Sequence, residues 1–419
     1  MRKTRLLVSA LAVASLALAA CGSDDEDTTT TDAPAAEPTD SAAEPSGAAT
    51  TAAPATGEST AGTTGGGGEG TLSLEELYAG SFESPPTGAP EPAKDKHIFV
   101  LSCGFAAAAC LTAADSVKES AELLGWQVTM FDGKLNAGGA YATGYAQAIG
   151  AGVDAIVNLG PDCATVRSSL EQAKAANIPV FNWAGLDCDD EFNPEPSEPL
   201  YTVDLWWSSA HATSGERLEH DGKADGDYII GRTGGKAKII ELYYRYQILG
   251  EHEHRGFMES MSNCAECEIV ESVEFNNDDL GGGGLKTKIA AALAAHPEAN
   301  ALVYTYSSVV PLGNLNGAVR AAGKADSMIV VGGEGSAANL DLIRQGDAGI
   351  TAEYAYPTEW SGWGLTDSMI RHFAGEERMP QGIGFQMIDK DHNLPPEPGS
   401  EMVPPVDFKA VYKKSWGVG

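Results

Sequence analysis

The chain has 419 residues, a formal net charge of −32, 43% hydrophobic residues and seven cysteines. That length allows two or three ordinary domains and a sizeable core. The acidity argues against a nucleic-acid-binding surface, because phosphates repel a protein of this sign. The charge is unevenly spread: residues 1–20 carry +3, residues 22–93 carry −14, and 94–419 carry the remaining −21.

The N-terminal segment reads as an address. Arg2, Lys3 and Arg5 precede an apolar run over 6–18, too short to cross a bilayer and of signal-peptide length. The run ends in Leu18-Ala19-Ala20-Cys21, with Gly22 next. This resembles the lipobox of bacterial lipoproteins. The resemblance implies a signal peptide over 1–20, lipidation of Cys21 and attachment to the cell membrane through that lipid. An ordinary secretory signal that happens to end near a cysteine is the alternative. No later stretch reaches 18 apolar residues, so no membrane-spanning helix is expected beyond it. Residues 21–95 are acidic and rich in Thr, Ala, Pro, Ser and Gly. Such a segment buries too little apolar surface to offset its conformational entropy and reads as a disordered tether. Its reach as a flexible coil is roughly 45 Å. Residues 72–79 fit one short helical turn.

Setting Cys21 aside leaves Cys103, Cys110, Cys163, Cys188, Cys264 and Cys267. An even number outside the cytoplasm favours disulfides. Proximity suggests Cys103–Cys110, Cys163–Cys188 and Cys264–Cys267, although six cysteines permit 15 connectivities. The CxxC spacing at 264–267 also occurs in zinc and redox motifs. No second ligand pair lies at zinc-site distance, and the motif closes a helix instead of opening one, so the expectation is a structural disulfide and no metal.

From residue 96 the pattern alternates. A strand over 97–102 precedes Leu111, Ala114, Val117, Ala121 and Leu124 at helical spacing. Strands over 127–131, 155–159 and 179–183 then alternate with helices over 140–151 and 164–176. The rhythm restarts with a strand at 238–242, a helix at 253–262, a strand at 268–275 and a helix at 285–295. Strands at 301–304, 327–331 and 349–354 follow, with helices at 312–322 and 337–345 between them. Such alternation predicts parallel sheets with helices on both faces. Two successive units predict two similar doubly wound α/β lobes, with a ligand between the carboxyl ends of their strands.

The stretch from Gln147 through Gly150-Ala151-Gly152-Val153-Asp154-Ala155 to Val157, followed by Ala173-Lys174-Ala175-Ala176-Asn177-Ile178-Pro179-Val180-Phe181, resembles the ribose-type (type I) periplasmic binding proteins. Arg255-Gly256-Phe257 and Val331-Gly332-Gly333-Glu334-Gly335 echo the same family. The resemblance covers about 96–375. It implies two lobes joined by a three-segment hinge: 96–203 with 356–376, and 204–355 with 377–419. It further implies delivery of a small solute, mostly a sugar or similar polyol, to an ABC permease.

Candidate ligand-binding residues lie in loops that follow strand ends. Phe105 follows the first strand, where the family places aromatic and amide residues; four alanines come next here. Asp162 follows the third and matches a ligand-binding Asp of the family. A carboxylate there accepts two hydroxyl hydrogen bonds, although capping the next helix would also suit it. Trp183 offers a ring face to a sugar. Arg245 sits in the cluster Tyr243–Tyr246, where family members contact ligand. Ser307 stands where an Asn-Asp pair is usual, and Glu334 where an Asp is usual. Tyr354 completes the candidates, near the expected hinge. Glu251, His252, Glu253 and His254 read as a solvated helix start and not as metal ligands.

Catalytic signatures are weak. No GxSxG elbow occurs, and the phosphate-loop-like run Gly231–Ala237 has the wrong glycine spacing and Ala237 in place of the hydroxyl residue. The sequence therefore predicts a monomeric, extracytoplasmic, lipid-anchored solute-binding protein without a cofactor. An extracytoplasmic sensor that presents its loaded form to a receptor, or a secreted enzyme using the same cleft, are the alternatives.

Overall fold

The computed structural model describes residues 70–245 and 247–419. The expected signal peptide, the lipidated Cys21 and the tether as far as residue 69 lie outside the described residues. The chain runs α1 (Leu74–Ala79), β1 (His97–Ser102), α2 (Ala108–Leu123), β2 (Gln127–Asp132), α3 (Ala140–Ala151), β3 (Ala155–Leu159), α4 (Cys163–Ala175), β4 (Val180–Trp183) and β5 (Val203–Asp204). It continues through α5 (Ser214–Thr233), β6 (Lys238–Tyr243), α6 (Ile248–Ser262), β7 (Glu268–Glu274), α7 (Asn277–Gly282), α8 (Gly284–Ala295), β8 (Ala301–Tyr304), α9 (Val309–Gly313) and α10 (Leu315–Ala321). It closes with β9 (Ile329–Gly332), α11 (Ala337–Gln345), β10 (Ala352–Ala355), α12 (Thr358–Phe373), β11 (Gln386–Asp389) and α13 (Phe408–Trp416).

The strands form two sheets. One has the order β2-β1-β3-β4-β5 and the other β11-β10-β9-β8-β6-β7. All neighbours are parallel except β10 and β11. Read from their first strands, both sheets share the doubly wound order 2-1-3-4-5. The inner strands are apolar along their length because helices cover both faces: every residue of β3 and β4 is buried. Three segments join the sheets, after β5, after β10 and after α12. The first and third are knitted together by the Gln381 amide on Trp206 O and the Ile383 amide on Trp207 O, both at 2.8 Å. α12 packs on α2 of the first sheet. Whereas β11 pairs in the second sheet, α13 stacks on α12, with Trp363 and Trp416 ring centroids 5.3 Å apart. Not all of the segment 377–419, expected in the second lobe, therefore stays there.

Residues 70–95, read from composition as the end of the tether, are built into the body. Ser73 caps α1 in a reciprocal box with Glu76, and Leu77 is 1% exposed. The Tyr78 hydroxyl donates to Asp389 at 2.6 Å. The Glu83 amide meets Gly382 O at 3.1 Å, and the Trp126 indole donates to Ala93 O at 2.6 Å. The segment thus runs from the second sheet, past the hinge, to the first. The short helical turn expected over 72–79 forms as α1, but averaging over an acidic stretch concealed that Leu72, Leu74, Leu77, Tyr78 and Phe82 pack on the main core. The three expected disulfides, Cys103–Cys110, Cys163–Cys188 and Cys264–Cys267, are formed.

Candidate ligand cleft

A cavity of about 380 Å³ lies between the carboxyl ends of the two sheets, within the roughly 300–1,000 Å³ of small-molecule sites. The first-sheet wall carries Asp162 and Trp183, with Asn136, Tyr141 and the Cys103–Cys110 disulfide. A buried amide chain fixes this wall. Tyr145 Oη donates to Asn158 Oδ1 at 2.9 Å, and Asn158 Nδ2 donates to Pro161 O at 2.9 Å and to Asn182 Oδ1 at 2.8 Å. That chain pins the Gly160-Pro161-Asp162 turn. Asp162 stands at the N-cap of α4 but does not cap it with its side chain. Its Oδ1 instead accepts from the Leu186 amide at 2.9 Å. Burial pushes the Asp162 carboxyl up to about 7, against the opposing pull of that amide.

The opposite wall is dominated by α5, which sequence periodicity did not assign. Thr213 and Glu216 form a capping box at its start, and Gly234 ends it in the left-handed conformation. Arg217, Asp221 and Asp225 recur at i, i+4 and i+8, so they share one face, and that face meets the cleft. α6 lies unusually close. A Cβ on Gly222 would sit 1.9 Å from Glu253 O, and one on Gly256 would sit 1.8 Å from Glu219 O. Only glycine permits this approach, which brings Glu253 beside Asp221 and Asp225 in the cleft wall.

Arg217 donates to Asp221, and its guanidinium lies 4.8 Å from the Trp207 ring and 5.3 Å from the Tyr356 ring. Glu334 accepts from the Ser307 amide at 2.6 Å. Burial pushes Asp221 up to about 7 and drives Asp225 and Glu253 well above the ordinary carboxylate range. Glu334 is raised by the same cause. Six buried polar atoms of the lining have no hydrogen-bond partner: Trp183 Nε1, Arg217 Nε, Asp221 Oδ1, Asp225 Oδ1, Glu253 Oε2 and Thr305 Oγ1. Buried polar groups are nearly always paired, so this concentration sets the lining apart from an ordinary protein interior.

Of the sequence candidates, Asp162, Trp183 and Glu334 line the cleft together; the other four do not. Phe105 packs at the edge of the first core, its amide donating to Asp132 at 3.0 Å. Arg245 pairs with Glu274 at the surface. Its predecessor Tyr244 turns inward instead and lines the cleft, as alternation at a strand end requires. Ser307 is 2% exposed and sits one layer back. There Glu353 accepts from Ser307 Oγ at 2.9 Å, Tyr304 Oη at 2.8 Å, and the Gly335 amide and Asn339 Nδ2 at 2.6 Å each. Tyr354 points to the hinge, where its hydroxyl lies 2.9 Å from His220 Nε2; Tyr356 takes the place in the cleft.

The run Glu251–His254 is not a solvated helix start. His252 is 3% exposed and bridges Asp190 and Glu219 at 2.8 Å each. Arg255 reaches Glu191 at 2.6 Å. The loop after β4, stapled by Cys163–Cys188, is thereby latched onto α5 and α6, with Leu186, Leu218 and Ile248 clustered beneath it.

Residues 104–377 match the profile of a family described as "Periplasmic binding protein domain". A comparison with curated proteins finds no match. Among solved structures, an ABC sugar transporter subunit from Rhodobacter sphaeroides aligns with a TM-score of 0.58 at 16% identity, over 71% of this chain and 99% of that one. An ABC transporter periplasmic solute-binding protein from Actinobacillus succinogenes, with bound D-allose, gives 0.59 at 16%, over 71% and 98%. One from Agrobacterium vitis, bound with α-D-tagatopyranose, gives 0.60 at 17%, over 72% and 97%.

Proposed function

The chain belongs to the periplasmic binding protein family, and from that premise we propose that it is the extracytoplasmic, lipid-anchored solute-binding component of an ABC importer. It takes up a small polar solute, of the sugar or polyol class, between its lobes and presents the closed form to a permease. One lobe is 96–203 with 356–376. The other is 204–355 with β11, while α13 rests on the first. Cys21 carries the lipid, and the acidic segment ahead of residue 70 spaces the body from the membrane. The role is binding, not catalysis.

The observation that carries this reading is the cleft itself, lined by Asp162, Tyr141 and Trp183 on one wall and by Arg217, Asp221, Asp225, Glu253 and Glu334 on the other. A solute that touches both walls favours the closed state by its differential contacts, which is what a permease can read. Calorimetric titration against a panel of sugars, polyols and nucleosides tests it. Tight binding of one class is expected; silence across the whole panel contradicts it.

A further inference from the structure

We propose that the cleft selects a solute bearing a protonated amine beside its hydroxyls, an amino sugar or aminocyclitol, over the neutral solute of the same shape. This rests on the cleft being the solute site. Five carboxylates line it: Asp162, Asp221, Asp225, Glu253 and Glu334. Among the described residues of the lining the only cationic side chain is Arg217, and its guanidinium is engaged by Asp221. The lining therefore holds more acidic than basic groups. A protonated amine brings these acidic groups the opposite charge, which a neutral polyol of the same shape does not.

The surplus is concentrated where α5 and α6 touch. Asp225 is 6% exposed. Asp221, Asp225 and Glu253 all line the cleft, and Asp221 Oδ1, Asp225 Oδ1 and Glu253 Oε2 are buried without a partner. Acidic acceptors on adjoining turns suit the hydrogen-bond donors and the positive charge of an ammonium group, which one or two of them can hold. A bare metal ion fits less well, because no three acidic oxygens of this lining lie within 4.8 Å of one another. Burial raises the affinity of these carboxylates for a proton, and an ammonium group would take the place of that proton's charge. Across the cleft, Asp162 and the Trp183 indole remain to hold hydroxyls, so the amine end of the solute faces α5 and α6.

The test is calorimetric titration of the full chain, purified in detergent, with matched sets: D-glucosamine, D-galactosamine, D-mannosamine and 2-deoxystreptamine, the neutral parent sugars or cyclitols, and the N-acetyl derivatives. At least one amine is expected to bind tenfold or more tighter than its neutral parent and its N-acetyl derivative. Asp225→Asn and, separately, Glu253→Gln are expected to shrink that ratio towards one, with thermal melts confirming that each variant is folded. Equal or tighter binding of the neutral parents overturns the amine selection and leaves the solute-binding reading intact. An amine preference that survives both substitutions overturns the assignment to α5 and α6. Silence of the amine, neutral and N-acetyl probes alike overturns the amine selection, and only silence across the wider panel of sugars, polyols and nucleosides overturns the solute-binding reading as well.

Discussion

The contact between α5 and α6 sets Glu253 beside Asp221 and Asp225 in the cleft wall, so Gly256→Ala is a decisive perturbation. The new methyl would meet Glu219 O at 1.8 Å, whereas ordinary contact begins at 3.4 Å. The obstacle is backbone and cannot rotate away, so the helices must part by on the order of 1.5 Å. Overpacking of this kind costs about 1–3 kcal/mol, and the upper end applies. With an unfolding entropy of about 2.1 cal/mol/K per residue, the folded body, taken as residues 70–419, melts about 4 °C lower for a 3 kcal/mol loss. Parting the helices also draws Glu253 away from Asp221 and Asp225. Losing one hydrogen bond to a charged group, about 1.5–3 kcal/mol, weakens the best-binding solute roughly ten- to hundredfold. Scanning calorimetry and a titration measure both. Gly150→Ala is the control, since a Cβ on that α3 glycine meets nothing within 4 Å and is expected to stabilise by about 0.5–1 kcal/mol. The reasoning is refuted if Gly256→Ala melts and binds as the parent does, or if Gly150→Ala destabilises as much.

Three further outcomes follow from the same structure. Arg217→Ala leaves Asp221 without its cation and is expected to cost about 3–5 kcal/mol. The loss is smaller at pH 6 than at pH 8, because Asp221, already raised to about 7, escapes the penalty by binding a proton when pH is low; melts at the two values check this. Leu77→Ala is expected to cost about 2–5 kcal/mol and to expose 70–95 to proteolysis, whereas a segment that merely trails the body would lose nothing. His252 faces Asp190, Glu219, Arg255 and the Phe192 ring. Burial lowers its pKa, but the two carboxylates outweigh this and hold it above its usual value. A raised histidine adds stability below about 6.5 that fades as pH rises through the folded value. His252→Asn is therefore expected to flatten the melting profile above pH 6.5, and a parallel profile would count against the latch.

The alternating strands were legible because parallel strands buried on both faces read as short apolar runs. Predicted spans 97–102, 155–159 and 301–304 coincide with β1, β3 and β8. The first wall of the cleft was legible for the same reason, since Asp162 and Trp183 sit at strand ends. The second wall was not. Its key element, α5, contains Gly215, Gly222 and Gly226 and a dense run of charges, which hide a buried helix behind the composition of a loop. The spacing of Arg217, Asp221 and Asp225 and the Thr213–Glu216 box were the available signals. Charges at i and i+4 usually mark a solvated face, and nothing local reveals that two glycines bring α6 against it. Arg245, Ser307 and Tyr354 failed by one position or one layer, the scale at which side-chain direction overrides the choice of loop.

A crystal structure of the protein with the solute that binds tightest tests the central claim most directly. The account predicts density between the sheets, touching Asp162 or Trp183 on one side and Asp225, Glu253 or Glu334 on the other. A solute held by one wall alone, or seated outside this cleft, would contradict it.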